Sequence, residues 1–559
     1  MAATAPSGAV RVVPLGGLGE VGMNCLALEQ NGEVVLIDCG VTFDDRGLGV
    51  DIIHPSFDAL EAYRGRVRGI FLTHGHEDHL GAVAHFLKRF DVPVWGPPYS
   101  LELLRERSHE HEILKYAELL TVRPRTTYSV GPFSIEPIRV THSTADATAL
   151  AIRTAAGLIV HTGDFKFDET PPDGELFDVE RLKELGDEGV RLLLSDSTNI
   201  DVAGPSGSEE GVRAALQRWI AETPGRVVVG MFASNVHRLR ILGDIAIATG
   251  RRIVPLGRSV STHARVAERT GYLEWPSSLT LGPEAAKDLP RDRILGIATG
   301  TQAEANAALA RLARGEHPLR LEPGDHVILS SRIIPGHEPE VGALESLFLR
   351  QGIKVTTRGV DPGVHVSGHA SRVEQRRMIE LVRPRSFIPL HGTRHHLVRH
   401  AELATSLGVG DAMVIENGEV ALLAGLAGEG EPLRREGRWP SGRVHLGFGR
   451  QVQGETLKER TTLAAEGIVF AAVPANGGRL SGSIQLASRG VLQDPQLTEV
   501  LVRAALEAER VAMAAGRLSE AELKDAVRLT VRRALHAVVG YKVQVVVTLV
   551  PVTSEALAR

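Results

Sequence analysis

Short apolar runs, each ended by a polar or acidic residue, recur over the first 200 positions of the chain. "VRVVPL", "NCLALEQ" and "EVVLIDCG", within residues 10–40, read as strands, the last two joined by the turn "NGE". "RGIFLTH" reads as another strand, and "HLGAVAHFLKRF" after it has the apolar spacing of a helix. "FSIEPIRVTH", "ALAIRTAAGLIVHTGD" and "VRLLLSDSTN" continue the strand-rich pattern. From about 209 to 360 the rhythm becomes one of alternating helices and short strands ("EEGVRAALQRWIAET", "RVVVGMF", "NVHRLRILGDIAIATG", "RRIVPLG", "DHVILSS"), as expected of a separate parallel-sheet domain. The earlier style returns over 366–420. Residues 425–443, rich in Gly, Pro and charge, read as a linker. Two amphipathic helices and the strand "YKVQVVVTLVPV" close the chain as a small α/β domain. The expected division is therefore a strand-rich region over 1–208, a separate α/β domain over 209–364, a return of the first style over 365–424, a linker over 425–459, and a small α/β domain over 460–559.

Composition narrows the class without naming a function. A chain of 559 residues, 43% hydrophobic and 23% charged, is an ordinary globular protein of several domains. The net charge of −5 gives no global attraction to polyanions, so a nucleic-acid ligand would need local basic patches or metals. Two cysteines, Cys25 and Cys39, exclude a disulfide framework. The N-terminal stretch has no export signal, and no apolar run approaches the ~20 residues of a membrane span, so a cytoplasmic protein is expected.

Two motifs carry candidate chemistry. "GLGEVG" places Gly17, Gly19 and Gly22 in a dinucleotide-like pattern, with Asp38 downstream. A dinucleotide site needs a helix at those glycines, whereas here they lead into strand and hairpin, so a tight turn beside a neighbouring site is the preferred reading. The second motif, "THGHEDHLG", sets His74, His76, Asp78 and His79 on one loop between a strand and a helix. One histidine is ordinarily a satisfied core or surface residue; three in six positions with a carboxylate read as a metal site. Imidazole suits zinc and manganese, and the carboxylate hardens the site toward ions that activate water. Four donors on one loop fit two ions better than one. His142, Asp164 and His391, each just past an apolar run, are candidate further ligands, and an aspartate such as Asp164 can bridge.

With Asp38 upstream and His142 and Asp164 downstream, H-G-H-E-D-H resembles the metallo-β-lactamase superfamily. That resemblance implies that His74, His76 and His142 hold one metal and Asp78 and His79 the other, with Asp164 bridging and Asp38 orienting ligands from behind. "LLLSDSTN", "VHVSGHASR" and "IPLHGT" place Asp196, His369 and His391 as in motifs A, B and C of the β-CASP nucleases; His391, apolar in DNA-directed relatives, leans toward RNA. "VVPLGGLGEVGMN", "SSRIIPGHE", "HVSGHAS" and "PLHGTRHHL" are similar to the bacterial RNase J family over residues 10–450. The implied fold is an αββα metallo-β-lactamase sandwich with an inserted β-CASP α/β domain and a small C-terminal α/β domain. The implied activity is a two-metal ribonuclease, 5′-to-3′ exonucleolytic on 5′-monophosphorylated single-stranded RNA with added endonuclease activity, serving mRNA decay and rRNA maturation. Asp78, Asp164, Asp196 and His369 would be its catalytic residues and His391 a further metal ligand. Zinc or manganese, a homodimer or homotetramer, and association with an RNA-degradation complex or the ribosome are implied as well.

A 5′-phosphate needs donors without bulk. Phe232, Ala233, Ser234 and Asn235 open a helix, whose N–H groups favour an anion, and His365, Val366, Ser367, Gly368 and His369 add a second wall. Simple helix capping is the bland alternative for Ser234 and Asn235. Family members often carry a structural calcium at an acidic "VDG"-like segment. This chain has "RVHLGFG" instead, so an additional ion at Asp51 and His445 is an expectation from donor chemistry. A DNA-processing β-CASP nuclease is opposed by His391, and a non-catalytic RNA-binding subunit by the intact ligand set. A small acyl substrate would leave the inserted domain without a role.

Overall fold

A computed structural model describes residues 8–44, 46–334, 336–425, 431–491 and 497–552. Two compact units emerge: residues 1–43 with 52–444, and residues 44–51 with 445–559.

The first unit is built on two facing sheets. One has eight strands in the order Arg434–Arg438, Glu419–Leu423, Val10–Gly16, Cys25–Gln30, Glu33–Ile37, Val67–Phe71, Val94–Gly96 and Leu119–Thr121. The other has seven, in the order Tyr128–Val130, Phe133–Arg139, Thr148–Thr154, Gly157–His161, Val190–Asp196, Ser386–Leu390 and Asp411–Ala412. Alternation sorts each strand's side chains between two cores. Val10, Val12, Leu26, Leu28, Val35 and Ile37 meet Leu150, Ile152, Leu192 and Leu194 between the sheets. Val13, Leu15, Ala27 and Leu36 face outward under helices, as do Ala149, Ala151 and Leu193 on the other side. Each large aliphatic so buried contributes roughly 1.5–3 kcal/mol, and a one-residue register slip would turn every one of them to the wrong face.

Parallel pairing brings the functional ends together. Glu33–Ile37 runs parallel to Val67–Phe71, and Gly157–His161 parallel to Val190–Asp196, which runs parallel to Ser386–Leu390. Asp38, His74, Asp164, Asp196 and His391 each end or closely follow one of these strands. Between Asp196 and Ser386 the chain builds a third sheet, all parallel, ordered Arg252–Leu256, Ile294–Ala298, Val227–Gly230, His326–Leu329 and Lys354–Thr356, with helices such as Val236–Thr249 and Glu338–Arg350 around it.

Four expectations change. "HLGAVAHFLKRF" forms not one helix but the tail of Glu77–Leu80 and then Val83–Leu87, because the Ala82 N–H leaves the helical ladder for the Cys39 carbonyl. Residues 425–443 are not simply linker: Arg434–Arg438 is an edge strand on Glu419–Leu423, exposed throughout and pinned by Arg435 to Glu419 and Arg11 to Glu436. Residues 426–430 of that segment lie outside those described. The C-terminal region holds more strand than expected. Ile468–Asn476 pairs antiparallel with Gln485–Arg489 and parallel with Gln544–Pro551, and the helices Leu497–Ala514 and Glu520–Val539 share their core. Helix Gly454–Glu466 runs across the expected boundary at 459. Among the described residues no helix is long and apolar enough to cross a membrane.

Candidate metal centre

The histidine loop is seated on the strand ends by main-chain bonds. Asn24 N donates to Asp78 O, Cys39 N to His79 O and Val41 N to Glu77 O. A Cβ on Gly40 would lie 1.7 Å from Asp78 O, so only glycine admits this approach. The glycines of "GLGEVG" begin no helix; Gly17 (φ +88°) and its successors turn the chain back to Asn24, whose Nδ2 lies 3.0 Å from His79 Nε2. Asp38 sits behind the loop. Its Oδ1 accepts from Thr73 N (2.8 Å) and its Oδ2 from Thr73 Oγ1 (2.8 Å), while His79 Nδ1 lies 2.8 Å from Oδ2. That contact assigns the His79 proton to Nδ1 and leaves Nε2 facing inward.

Among the described residues three donor groups share the Asp164 carboxylate, the ligand atoms of each lying within 4.8 Å of one another. His74, His76, His142 and Asp164 form the first and Asp78, His79, Asp164 and His391 the second, both drawing on the histidine loop; Asp164, Asp196, His369 and His391 form a third that has no member on that loop. Asp164 Oδ2 is 3.8 Å from both His74 Nε2 and His142 Nε2, and 3.2 Å from His79 Nε2. His76 Nδ1 lies 3.2 Å from His74 Nε2 and 3.1 Å from His142 Nε2. Those spacings are close to the ~3.3 Å edge of a tetrahedron with metal–nitrogen bonds of ~2.0–2.1 Å. His142 is aimed by its Nδ1, 2.6 Å from the Gly368 carbonyl. His391 Nε2, 3.4 Å from Asp78 Oδ2, is buried and has no hydrogen-bond partner, an orphan that a cation would satisfy.

Electrostatics point the same way. Burial holds His74 and His142 well below the usual imidazole range and His76 down to about 4, so these three are neutral, as ligands must be. Burial also opposes charge on His79 and His391, but Asp164 and its neighbouring carboxylates outweigh it and raise both. The carboxylates thus demand positive charge inside the cavity. Asp164 itself is held well below the carboxylate range against its burial, chiefly by His391, His79 and His369.

Asp196 and His369 stand beside the second group. His369 Nδ1 is 2.9 Å from Asp196 Oδ2 and 3.7 Å from Asp164 Oδ2, and its ring is partly exposed. Burial lowers its basicity, but Asp196 and Asp164 lift it to about 9. Asp196 Oδ1 accepts from Thr198 N (2.9 Å) and Thr198 Oγ1 (2.7 Å), which fixes the carboxylate.

The expected phosphate walls lie next to each other but differ in availability. Ser367, Gly368 and His369 are half-buried, as are His365, Val366 and Ser234; Ala233 is buried and Phe232 exposed. Asn235 is engaged within the fold: its side chain caps the helix by accepting from Arg238 N, and its Nδ2 donates to Glu209 Oε1. Ser234 makes no cap. Arg238 was not legible as a site residue. It donates from Nη1 to His365 Nδ1 (3.0 Å) and from Nη2 to Glu209 Oε2 (2.8 Å). The expected ion at Asp51 and His445 finds no support. Asp51 Oδ2 accepts from Phe448 N at 2.7 Å, and among the described residues neither side chain joins a group of metal-spaced donors.

The Glu209–Arg238 pair gives a stability prediction. Against full burial, Arg238 and Lys166 depress the Glu209 carboxyl to about 2 from its ordinary 4.5. A depressed carboxyl stabilises the fold above its unfolded pKa, and that contribution, about 3 kcal/mol, fades as pH falls from 4.5 toward 2. Denaturant titrations of Glu209→Gln should show lower stability at pH 7 and a shallower decline over that acid window than the parent.

The comparisons with known proteins agree with this architecture. Residues 18–219 match the metallo-beta-lactamase superfamily, 224–346 the ribonuclease J beta-CASP domain, 352–414 the Zn-dependent metallo-hydrolase RNA specificity domain, and 455–552 the ribonuclease J C-terminal domain. Ribonuclease J of Mycobacterium tuberculosis is 39% identical over 545 residues, covering 96% of this chain and 95% of that protein. Ribonuclease J of Synechocystis is 37% identical over 516 residues, covering 91% of this chain and 80% of its own. A crystal structure of a protein of unknown function from Enterococcus faecalis shares the fold, with a TM-score of 0.50 and 18% identity over 74% of this chain and 100% of that one. Four domain matches in register with the strand-end metal centre, and relatives aligned over nearly the whole length, place this chain in the ribonuclease J family.

Proposed function

We propose that this chain is a two-metal ribonuclease that removes nucleotides from the 5′ end of single-stranded RNA, prefers a 5′-monophosphate, and also cuts internally. The carrying observation is that Asp164 Oδ2 faces both donor groups while His369, held by Asp196, stands beside them on the loop that also bears Ser367. The first group would hold one divalent ion and the second another, zinc or manganese by donor chemistry. Bound there, such ions supply Lewis acidity for phosphodiester hydrolysis near neutral pH.

The chain's own residues do the rest. Asp38 orients His79, and the Gly368 carbonyl orients His142. In the hydrolysis a water oxygen forms a bond to phosphorus, giving up a proton to solvent, and the bond to the 3′ oxygen breaks; that oxygen leaves with a proton that His369 is placed to give and then regains from solvent. Each cut leaves a 5′-monophosphate on the shortened RNA, the same end that the Ser367 wall would hold, which favours repeated cleavage.

The reading divides the chain at 208/209, 364/365 and near 460, in the cytoplasm, as a homodimer or homotetramer. Val502, Leu506 and Met513 on one C-terminal helix, with Phe470, Val546 and Val550 on strands, expose apolar area for self-association, which light scattering would detect. The decisive assay compares RNAs bearing 5′-monophosphate, 5′-hydroxyl and 5′-triphosphate ends, with product sizing. Mononucleotides released fastest from the monophosphate are expected; equal rates on all three would remove the phosphate preference.

A further inference from the structure

Asn199 is nearly fully buried, at 3% exposure, and its side chain lies behind the loop that carries Ser367 and His369. Its Oδ1 accepts from Arg332 Nη1 (2.8 Å), and its Nδ2 donates to Ser367 Oγ (2.7 Å) and to the His369 carbonyl (3.1 Å). The amide cannot be flipped. Arg332 can only donate and the His369 carbonyl can only accept, so oxygen must face the first and nitrogen the second.

The consequence falls on Ser367. A serine hydroxyl has two lone pairs and one hydrogen. One lone pair takes the Asn199 amide, and the His369 N–H, 3.3 Å from Oγ, takes the other. The hydroxyl hydrogen is then left to donate outward from a half-buried, accessible position. The same amide holds the main chain of His369, whose carbonyl also accepts from Ser206 Oγ at 2.7 Å. Asp196, which holds the His369 ring, lies three residues before Asn199 on the same loop. Arg332 reaches in from the inserted domain, after strand His326–Leu329.

We infer that Asn199 is a positioning residue that makes Ser367 an obligate hydrogen-bond donor, so that the loop 365–369 selects an RNA end carrying a phosphate over one carrying a hydroxyl. This rests on the reading of Ser367 as a wall of the 5′-phosphate pocket. Arg332, by donating to Oδ1, keeps the amide in the orientation that does this and ties the selection to the inserted domain.

Asn199→Asp is nearly isosteric and keeps the acceptor for Arg332, but it replaces the donor facing Ser367 with a carboxylate oxygen. Ser367 then donates inward and its hydrogen is withdrawn from the pocket. The expected result is a fall of about tenfold in the preference for 5′-monophosphate over 5′-hydroxyl RNA, read as the ratio of their KM values and worth one charge-assisted hydrogen bond, while any loss through the His369 main chain falls on both ends alike. Ser367→Ala should lower the preference similarly, and adding Asn199→Asp to it should lower it little further, since the hydroxyl being oriented is gone. Asn199→His, which can still donate to Ser367, should recover part of the preference. Thermal unfolding of each variant separates loss of fold from loss of selection. If the parent prefers the monophosphate and Asn199→Asp retains that preference, or if the two substitutions multiply independently, the inference is overturned while the pocket stands. If the parent itself shows no preference, the pocket reading and the inference fall together.

Discussion

Asp164→Asn is expected to lower RNA hydrolysis by about 10³–10⁴-fold, the largest loss from any single conservative change in the chain. Asp164 Oδ2 belongs to both donor groups, and its Oδ1 lies 2.9 Å from His391 Nδ1. The substitution removes one negative charge where two cations are to be shared and leaves His79 and His391 facing a neutral amide. Several kcal/mol of charge stabilisation are at stake, and each 1.36 kcal/mol is a factor of ten in rate. Replacing Asp78 and His79 together should also abolish activity, but through the second group only. Metal analysis distinguishes the two cases: Asp164→Asn should weaken both ions, whereas the double variant should retain one. Robust digestion by either variant would contradict the assignment.

His369→Gln is expected to reduce kcat by about 10²–10⁴-fold, the usual worth of a positioned proton donor, while leaving metal content unchanged. His369 stands in a donor group with Asp164, Asp196 and His391 but in neither group that uses the histidine loop, its Nδ1 is committed to Asp196, and its ring is partly open to solvent. Asp196→Asn should give a smaller loss of the same kind, because it leaves the imidazole present but unaimed. A substrate whose leaving oxygen needs no proton, such as a nitrophenyl phosphodiester, should be far less sensitive to His369→Gln than RNA is. Equal sensitivity would move His369 from proton donation to binding.

Local features of the site could be read from the chain because their meaning is local. Three histidines and an aspartate within six positions imply a metal wherever they fold. His142, Asp164 and His391 stand out because each follows an apolar run, and parallel strands deliver such positions to one edge. The partners of these residues carry no such mark. Asn24, Asn199 and Arg238 act through residues 55, 168 and 127 positions away, respectively, and an asparagine or arginine in a loop looks the same whether or not it is engaged. Arg434–Arg438 escaped notice for a related reason: an edge strand exposed on both faces has no alternation to betray it. Asp51 and His445 show the opposite limit of such reading: donor types suited to an ion, which no third donor of metal spacing joins among the described residues.

One carboxylate, Asp164, joining two metal sites of three further ligands each fixes a stoichiometry that mass spectrometry reads as metal per chain after dialysis against manganese or zinc. The parent should hold two ions, His74→Ala/His76→Ala and Asp78→Ala/His79→Ala one each, and Asp164→Asn close to none. A single ion in the parent, or a paired loop variant that loses both, would contradict the account.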